Sequence, residues 1–284
     1  MIVYLIFSYI SITNSTFALN FYIIMTTVIV PLDFSNASIN AAEYAADMLN
    51  NHEEVNMILY HAYNNDWELE SSEEKLSELK KRFEKDNTLN ISISAEKDSF
   101  INGLERLIRH KHANLVIMSN VGHSSLSKVF IGSNALKISE TKACPVLLIP
   151  GALKYHEVKN IMIASDFKNV RTTTPSTPIK TILKLLKANL HIVNVNSEHY
   201  VSITEEYENE KGDFEKMFSE FKPEFYFVHF YDVNDALNQF ATDKNIDLII
   251  TIQKQHSALF RKFRSNHIKN LKYNTNIPLM VVHE

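Results

Sequence analysis

Few residues in this chain are placed to do chemistry. Only 5 glycines occur among 284 residues. Two of them, Gly122 and Gly132, stand in "SNVGHSSLSKVFIGSN" (119–134), with Ser133 directly after the second. Glycine lets a backbone come close to a ligand. A helix opening at Gly132-Ser133 would turn free N–H groups and its positive dipole end toward a phosphate. The Ser133 hydroxyl would cap that helix or donate to a phosphate oxygen. Asp33, in "VPLDFSN", would accept hydrogen bonds from a sugar or a base. Spacing alone leaves two readings open: a phosphate cradle, or a turn glycine followed by a capped helix.

Other reactive side chains assemble nothing. His123 and His256 each stand alone, with no His, Cys, Asp or Glu set at metal-ligand spacing around them. Local packing is the better reading of both. The chain has a single cysteine, Cys144, which excludes an internal disulfide and fits a reducing, cytoplasmic compartment. There is no Gly-x-Ser-x-Gly elbow and no Gly-x4-Gly-Lys-[Ser/Thr] loop. No catalytic residue and no metal site is assigned.

The elements that must hold these residues emerge from a repeat. "VPLDFSN" at 30–36 recurs as "IASDFKN" at 163–169, and "NLVIMSN" at 114–120 as "DLIITIQ" at 247–253. "HSSLSKVF" at 123–130 recurs as "HSALFRKF" at 256–263, and "CPVLLIP" at 144–150 as "IPLMVVH" at 277–283. All four pairs share an offset of 133 (163 − 30), too long for a solenoid repeat, so each copy needs its own core. Runs rich in Val, Ile and Leu predict strands at 26–31, 55–61, 89–93, 114–118 and 145–149. Amphipathic stretches predict helices at 36–50, 70–86 and 98–111, the first capped by Ser35 or Asn36. The second copy predicts strands near 159–164, 190–195, 224–229, 247–251 and 278–282. Strand alternating with helix implies a parallel sheet covered on both faces. Asp33 and the glycine loop then fall past strands one and four, at the carboxyl edge where open α/β sheets bind ligands.

The composition is that of a folded globular protein: 45% hydrophobic, 22% charged and a net charge of −4. That balance argues against bulk attraction to nucleic acid or anionic membrane. Residues 1–24 are apolar, yet the first Lys or Arg is Lys75, so the basic region of a signal peptide is missing. The favoured reading is a misplaced start with Met25 as the true one, and a membrane anchor is the alternative. The expected organisation is 1–24 extension, 25–150 first domain, 151–158 linker and 159–284 second domain.

The combination of "VPLDFS", "LYHA" (59–62), the glycine loop and "CPVLLIP" resembles the universal stress protein (UspA-type) family, in the tandem form of Bacteroidetes-type members. The resemblance covers about 25–284. It implies two Rossmann-like (adenine nucleotide alpha hydrolase-like) α/β domains, each a five-stranded parallel sheet of order 3-2-1-4-5. It also implies ATP or AMP, with Mg, as ligand. The family's loop reads Gly-x2-Gly-x9-Gly-[Ser/Thr]. Its second and third glycines fall on Gly122 and Gly132 and its hydroxyl residue on Ser133, whereas the first glycine falls on Ser119. The adenosine-contacting acid falls on Asp33 and the adenine-side position on Ala62. Pro31, Leu32, Met118 and Asn134 complete the implied nucleotide set. If position 119 requires a positive φ, its serine costs roughly 1–2 kcal/mol and weakens binding about tenfold. Family members pair through their last strands, which the two copies would do within one chain, with a homodimer as a further expectation.

The copies are unequal. Asp33 has its counterpart in Asp166 and Ala62 in Val195, but Ser119 becomes Ile252, Gly122 becomes Gln255, Gly132 becomes Ser265 and Ser133 becomes Asn266. The second site is therefore read as degenerate. Its stretch 254–272 instead carries Lys254, Arg261, Lys262, Arg264, Lys269 and Lys272 and no acid. That is read as a solvated face, with a patch for an anion or acidic partner as the alternative. The leading function is a stress-response regulator that binds ATP or AMP in its first copy, the second serving structure or partners. The rivals are a scaffold that binds no nucleotide and a slow ATPase.

Overall fold

The computed structural model describes residues 26–86, 88–120, 133–196, 204–229, 233–253 and 277–284. In the first half, β1 (Thr26–Pro31) leads to α1 (Asn36–Leu49), β2 (Val55–Tyr63), a 3-10 turn (Asp66–Glu68) and α2 (Leu69–Asp86). Then come β3 (Asn90–Lys97), α3 (Phe100–Lys111), β4 (Leu115–Ser119), α4 (Ser133–Glu140) and β5 (Val146–Ile149). The second half holds β6 (Asn160–Ser165), α5 (Val170–Thr173), α6 (Ser176–Leu186), β7 (Asn189–Asn196) and α7 (Glu205–Phe218). It closes with β8 (Glu224–His229), α8 (Val233–Asp243), β9 (Leu248–Gln253) and β10 (Leu279–His283). Each strand lies within a few residues of its predicted span. Of the two candidates for the α1 cap, Ser35 takes the role, its hydroxyl accepting from the Ser38 N–H.

All ten strands form one sheet in the order β3-β2-β1-β4-β5-β10-β9-β6-β7-β8. Each half reads 3-2-1-4-5 outward from its edge, and all pairs are parallel except β5 with β10. That antiparallel pair, Leu148 beside Leu279 and Val146 beside Val281, seams the halves. The strand ends that carry each half's loops therefore face opposite rims.

One apolar layer runs under both halves, from Val28 and Leu59 through Val158 to Ile163 and Val282. Helices α1 and α2 contribute to it from the first half and α6 and α7 from the second. The opposite face is split, with α3 and α4 on the first half and α8 on the second. The segment between the halves is anchored. Leu153 C=O accepts from Asn40 Nδ2 (2.8 Å), Tyr155 meets Tyr44 edge-on and Asp247 accepts from the N–H of Lys159 (2.8 Å) and Asn160 (2.9 Å).

The repeat governs pairing as well as sequence. Val28 lies beside Met57 and beside Leu115, and Ile161, 133 residues on, lies beside Leu190 and Leu248. Two departures mark the second half. The counterpart of α1 is broken into α5 and α6 at Thr174-Pro175, because a residue before proline is pushed out of the helical region; Thr174 is extended at φ −97°. The outer strand is slipped by one residue, with Ile58 beside Ser92 but His191 beside Glu224. Since faces alternate along a strand, the slip puts Phe225 on the side held by Ile91 in the first half.

Candidate functional site

In the first half β1 lies between β2 and β4, the point where strand order reverses. Its chain leaves toward one face through α1, while β4 leads toward the other through α4. A crevice at the carboxyl ends follows from that divergence. Pro31 ends β1 beside Tyr60, and Leu32 N–H donates to the Tyr60 carbonyl at 2.8 Å. Met118 and Ser119, both buried, end β4 at the same rim. Ala62 lies half-buried near the end of β2, and Asp33 is exposed just past β1. The expected residues Pro31, Leu32, Asp33, Ala62, Met118 and Ser119 thus share one edge. Ser133 and Asn134 are the exposed first residues of α4. Gly122 and Gly132 lie outside the described residues.

Asp33 is engaged by its own loop: its Oδ1 accepts from Ser35 N–H (3.0 Å) and Ser35 Oγ (2.6 Å). Ser35 in turn caps α1, so the carboxylate fixes the turn that presents it. Between them Phe34 takes a left-handed φ of 60°, a conformation that strains a bulky residue. The serine at 119 imposes no such strain. It completes β4 and is not among the described residues with positive φ, so a glycine's freedom is not what position 119 demands here. Beside it, the Asn120 side-chain oxygen is buried without a hydrogen-bond partner, an acceptor available to a donor at the strand ends.

One more residue at the rim, His61, was not singled out by spacing. His61 Nδ1 lies 2.7 Å from the Leu32 carbonyl. A carbonyl only accepts, so Nδ1 carries the proton and Nε2 is left as the second contact atom. The His61 ring packs 4.5 Å from Phe34, whose other neighbour is Lys75 Nζ, 5.1 Å from the ring centroid. His61 stands inside "LYHA" but has no role assigned there, because that role depends on the register of β1 against β2.

In the second half Asp166 follows β6 and accepts from Lys168 N–H at 3.3 Å, and Val195 lies in β7. Gln255, Ser265 and Asn266 lie outside the described residues. Phe167 repeats the left-handed turn of Phe34 at φ 50°, yet its ring is buried and stacked on Tyr207 at 5.2 Å. The Glu210 carboxylate accepts from Asn169 N–H (3.0 Å) and Val170 N–H (2.7 Å). Side chains of α7 thus cover the ring and take two N–H groups of the loop after β6.

Cys144 is buried and burial pushes its thiol up to about 12, which suits packing and not nucleophilic chemistry. Among the described residues no three His, Cys, Asp or Glu side chains form a metal-binding group, and no helix is long and apolar enough to cross a membrane. Asp33 alone would give a magnesium ion one carboxylate, so nucleotide phosphates and water would have to supply its other ligands.

The fold and strand-end crevice define a tandem pair of Rossmann-like α/β domains. The description "Universal stress protein family" matches residues 25–150, so the first domain is similar to that family over the stretch where the sequence resembles it. Among solved structures, a universal stress protein from Archaeoglobus fulgidus is similar over 93% of this chain and 98% of its own, at 14% identity and TM-score 0.61. A functionally unknown protein from Pseudomonas aeruginosa is similar over 92% of this chain and 93% of its own, at 16% identity and TM-score 0.59. These likenesses extend the tandem fold over both halves. No curated protein sequence matches the chain.

Proposed function

We propose that this chain is a cytoplasmic stress-response regulator that binds ATP or AMP in its first domain, residues 25–150, and uses its second, 159–284, as a structural or partner-binding copy. The observation that carries the reading is the gathering of Asp33, Ala62 and Ser119 at one strand-order reversal, with the unpartnered Asn120 oxygen among them. Adenosine offers hydroxyl and amino donors to Asp33 and Asn120, while Gly122, Gly132 and Ser133 receive the phosphates. His61 Nε2 adds a contact at the β2 end. The packing of Phe167 under Tyr207 and the Glu210 contacts after β6 support confining nucleotide to the first domain. The β5–β10 seam supplies within one chain the last-strand pairing that a homodimer would otherwise provide.

Calorimetric titration of the full chain with ATP and AMP, beside Gly132→Arg, tests this. Heat with the native chain and none with the variant is expected. No heat with either would leave the scaffold reading standing. Phosphate released from ATP during the titration would move the reading to a slow ATPase.

A further inference from the structure

The chain's single tryptophan, Trp67, is 78% exposed on the turn after β2, with Leu69 beside it at 37%. An indole offers one of the largest contact areas of any side chain, and tryptophans left open on a surface mark interaction sites. The turn itself is braced. Glu68 accepts from Asn64 N–H (3.1 Å) and Asn65 Nδ2 (2.8 Å), and Lys97 Nζ holds Asp66 at 2.8 Å. The Ser72 hydroxyl donates to the Glu68 carbonyl at 2.7 Å. A backbone this well tied presents the ring outward as a fixed feature and not as a frayed loop.

The surroundings select the partner. Asp66, Glu70, Glu73 and Glu74 are exposed around the turn, and among the described residues Glu70, Glu73 and Glu74 form no ion pair. Such a rim repels nucleic acid and anionic lipid. It attracts a Lys- and Arg-bearing segment with apolar side chains, whose cations also favour the indole face. The chain carries one such stretch, 254–272, with Lys254, Arg261, Lys262, Arg264, Lys269 and Lys272 interleaved with Leu259, Phe260 and Phe263.

We propose that the Trp67 rim of one copy docks the basic stretch 254–272 of a second copy. Each copy has one rim and one stretch, so two copies satisfy each other in a closed two-fold dimer. The strand edges of β5 and β10 are already paired within the chain, which leaves association to a different surface.

Sedimentation equilibrium of the full chain at about 50 mM and about 500 mM salt tests this, since charge pairing across an interface is screened at the higher value. A dimer at low salt that dissociates at high salt is expected. Trp67→Ala should weaken it by about tenfold or more, the scale of a hot-spot truncation. Arg261→Glu/Lys262→Glu/Arg264→Glu should abolish it. Combining those changes with Glu70→Lys/Glu73→Lys/Glu74→Lys should restore it, which a merely misfolded variant would not do. Emission of the sole tryptophan should shift to the blue on association. A monomer at both salts, a dimer indifferent to Trp67→Ala, or no rescue by the charge exchange would overturn the proposal.

Discussion

Phe34 and Phe167 occupy the same place in the two halves, one residue past an aspartate, and both adopt a left-handed φ. Their surroundings differ. Phe34 is half-buried between His61 and Lys75, whereas Phe167 is buried under Tyr207, Phe214 and Phe225. The repeat kept a strained turn in both copies but left its phenylalanine half-buried in one and packed in the other. The lesson is that a duplicated turn is packed over by changes on neighbouring elements as much as by changes in its own loop. Tyr207 and Glu210 come from α7, and Phe225 reaches its face because β8 is slipped by one residue.

The most direct way to break this comparison is to delete each ring. Phe167→Ala should destabilise the chain by about 3–5 kcal/mol, the range for a fully buried aromatic. Phe34→Ala should cost only about 1–2 kcal/mol, because part of its ring is already in water. Urea unfolding of both variants gives the difference; equal losses would mean Phe34 is packed as firmly as Phe167.

Much of this architecture was legible in the sequence, for a physical reason. Strands buried on both faces must be apolar runs, and every predicted run became a strand. The offset of 133 survived into the pairing register. What was hidden depends on partners distant in the chain. The α5–α6 break is written locally in Thr174-Pro175, but the β8 slip is not, since Phe225 aligns by the repeat with Ser92. At the site, Asp33 and Ser119 were readable from their place at strand ends. His61 was not, because its tautomer is set by the Leu32 carbonyl, 29 positions away. The demand for a glycine at position 119 could not be judged from residue type either, because the answer lay in the backbone angle.

A second contrast concerns Gly103, an odd residue for a helix interior. A Cβ added there would lie 2.2 Å from Tyr60 Oη, and that hydroxyl is buried without a hydrogen-bond partner. The glycine on α3 makes room for the tyrosine on β2. In the second copy the same two positions are Ala236 and Val193. Gly103→Ala should therefore destabilise by about 2–3 kcal/mol despite alanine's better helix propensity. Adding Tyr60→Val should recover part of that loss, where independent effects would sum. Simple additivity in a double-mutant cycle would refute the steric reading.

The seam carries an acid-sensitive group. His283 ends β10 where the first copy has Pro150, and its ring nitrogens are buried without partners. Burial, and secondarily Lys142, push its pKa from an ordinary 6.5 down to about 4. The folded chain thus prefers the neutral ring while the unfolded chain protonates it. The stability it protects is complete above pH 6.5 and falls as the pH drops toward 4. Allowing for solvent at its open side, the loss should be about 1–2 kcal/mol. Melting temperatures at both ends of that window, for the native chain and His283→Leu, should show the extra acid sensitivity in the native chain alone.

The smallest effect has the opposite sign. Gly212 lies inside α7, and a Cβ there would meet nothing within 4 Å. The core-facing residues of α7 are Phe214 and Phe218, so Gly212 stands off the face that the helix buries. Glycine in a helix interior costs about 1 kcal/mol against alanine, and with space to spare Gly212→Ala should return that amount, read as a higher urea midpoint at unchanged slope. A gain at 212 beside a loss at 103 would show that one glycine is held by its neighbour on the strand beneath it and the other by no contact of its own.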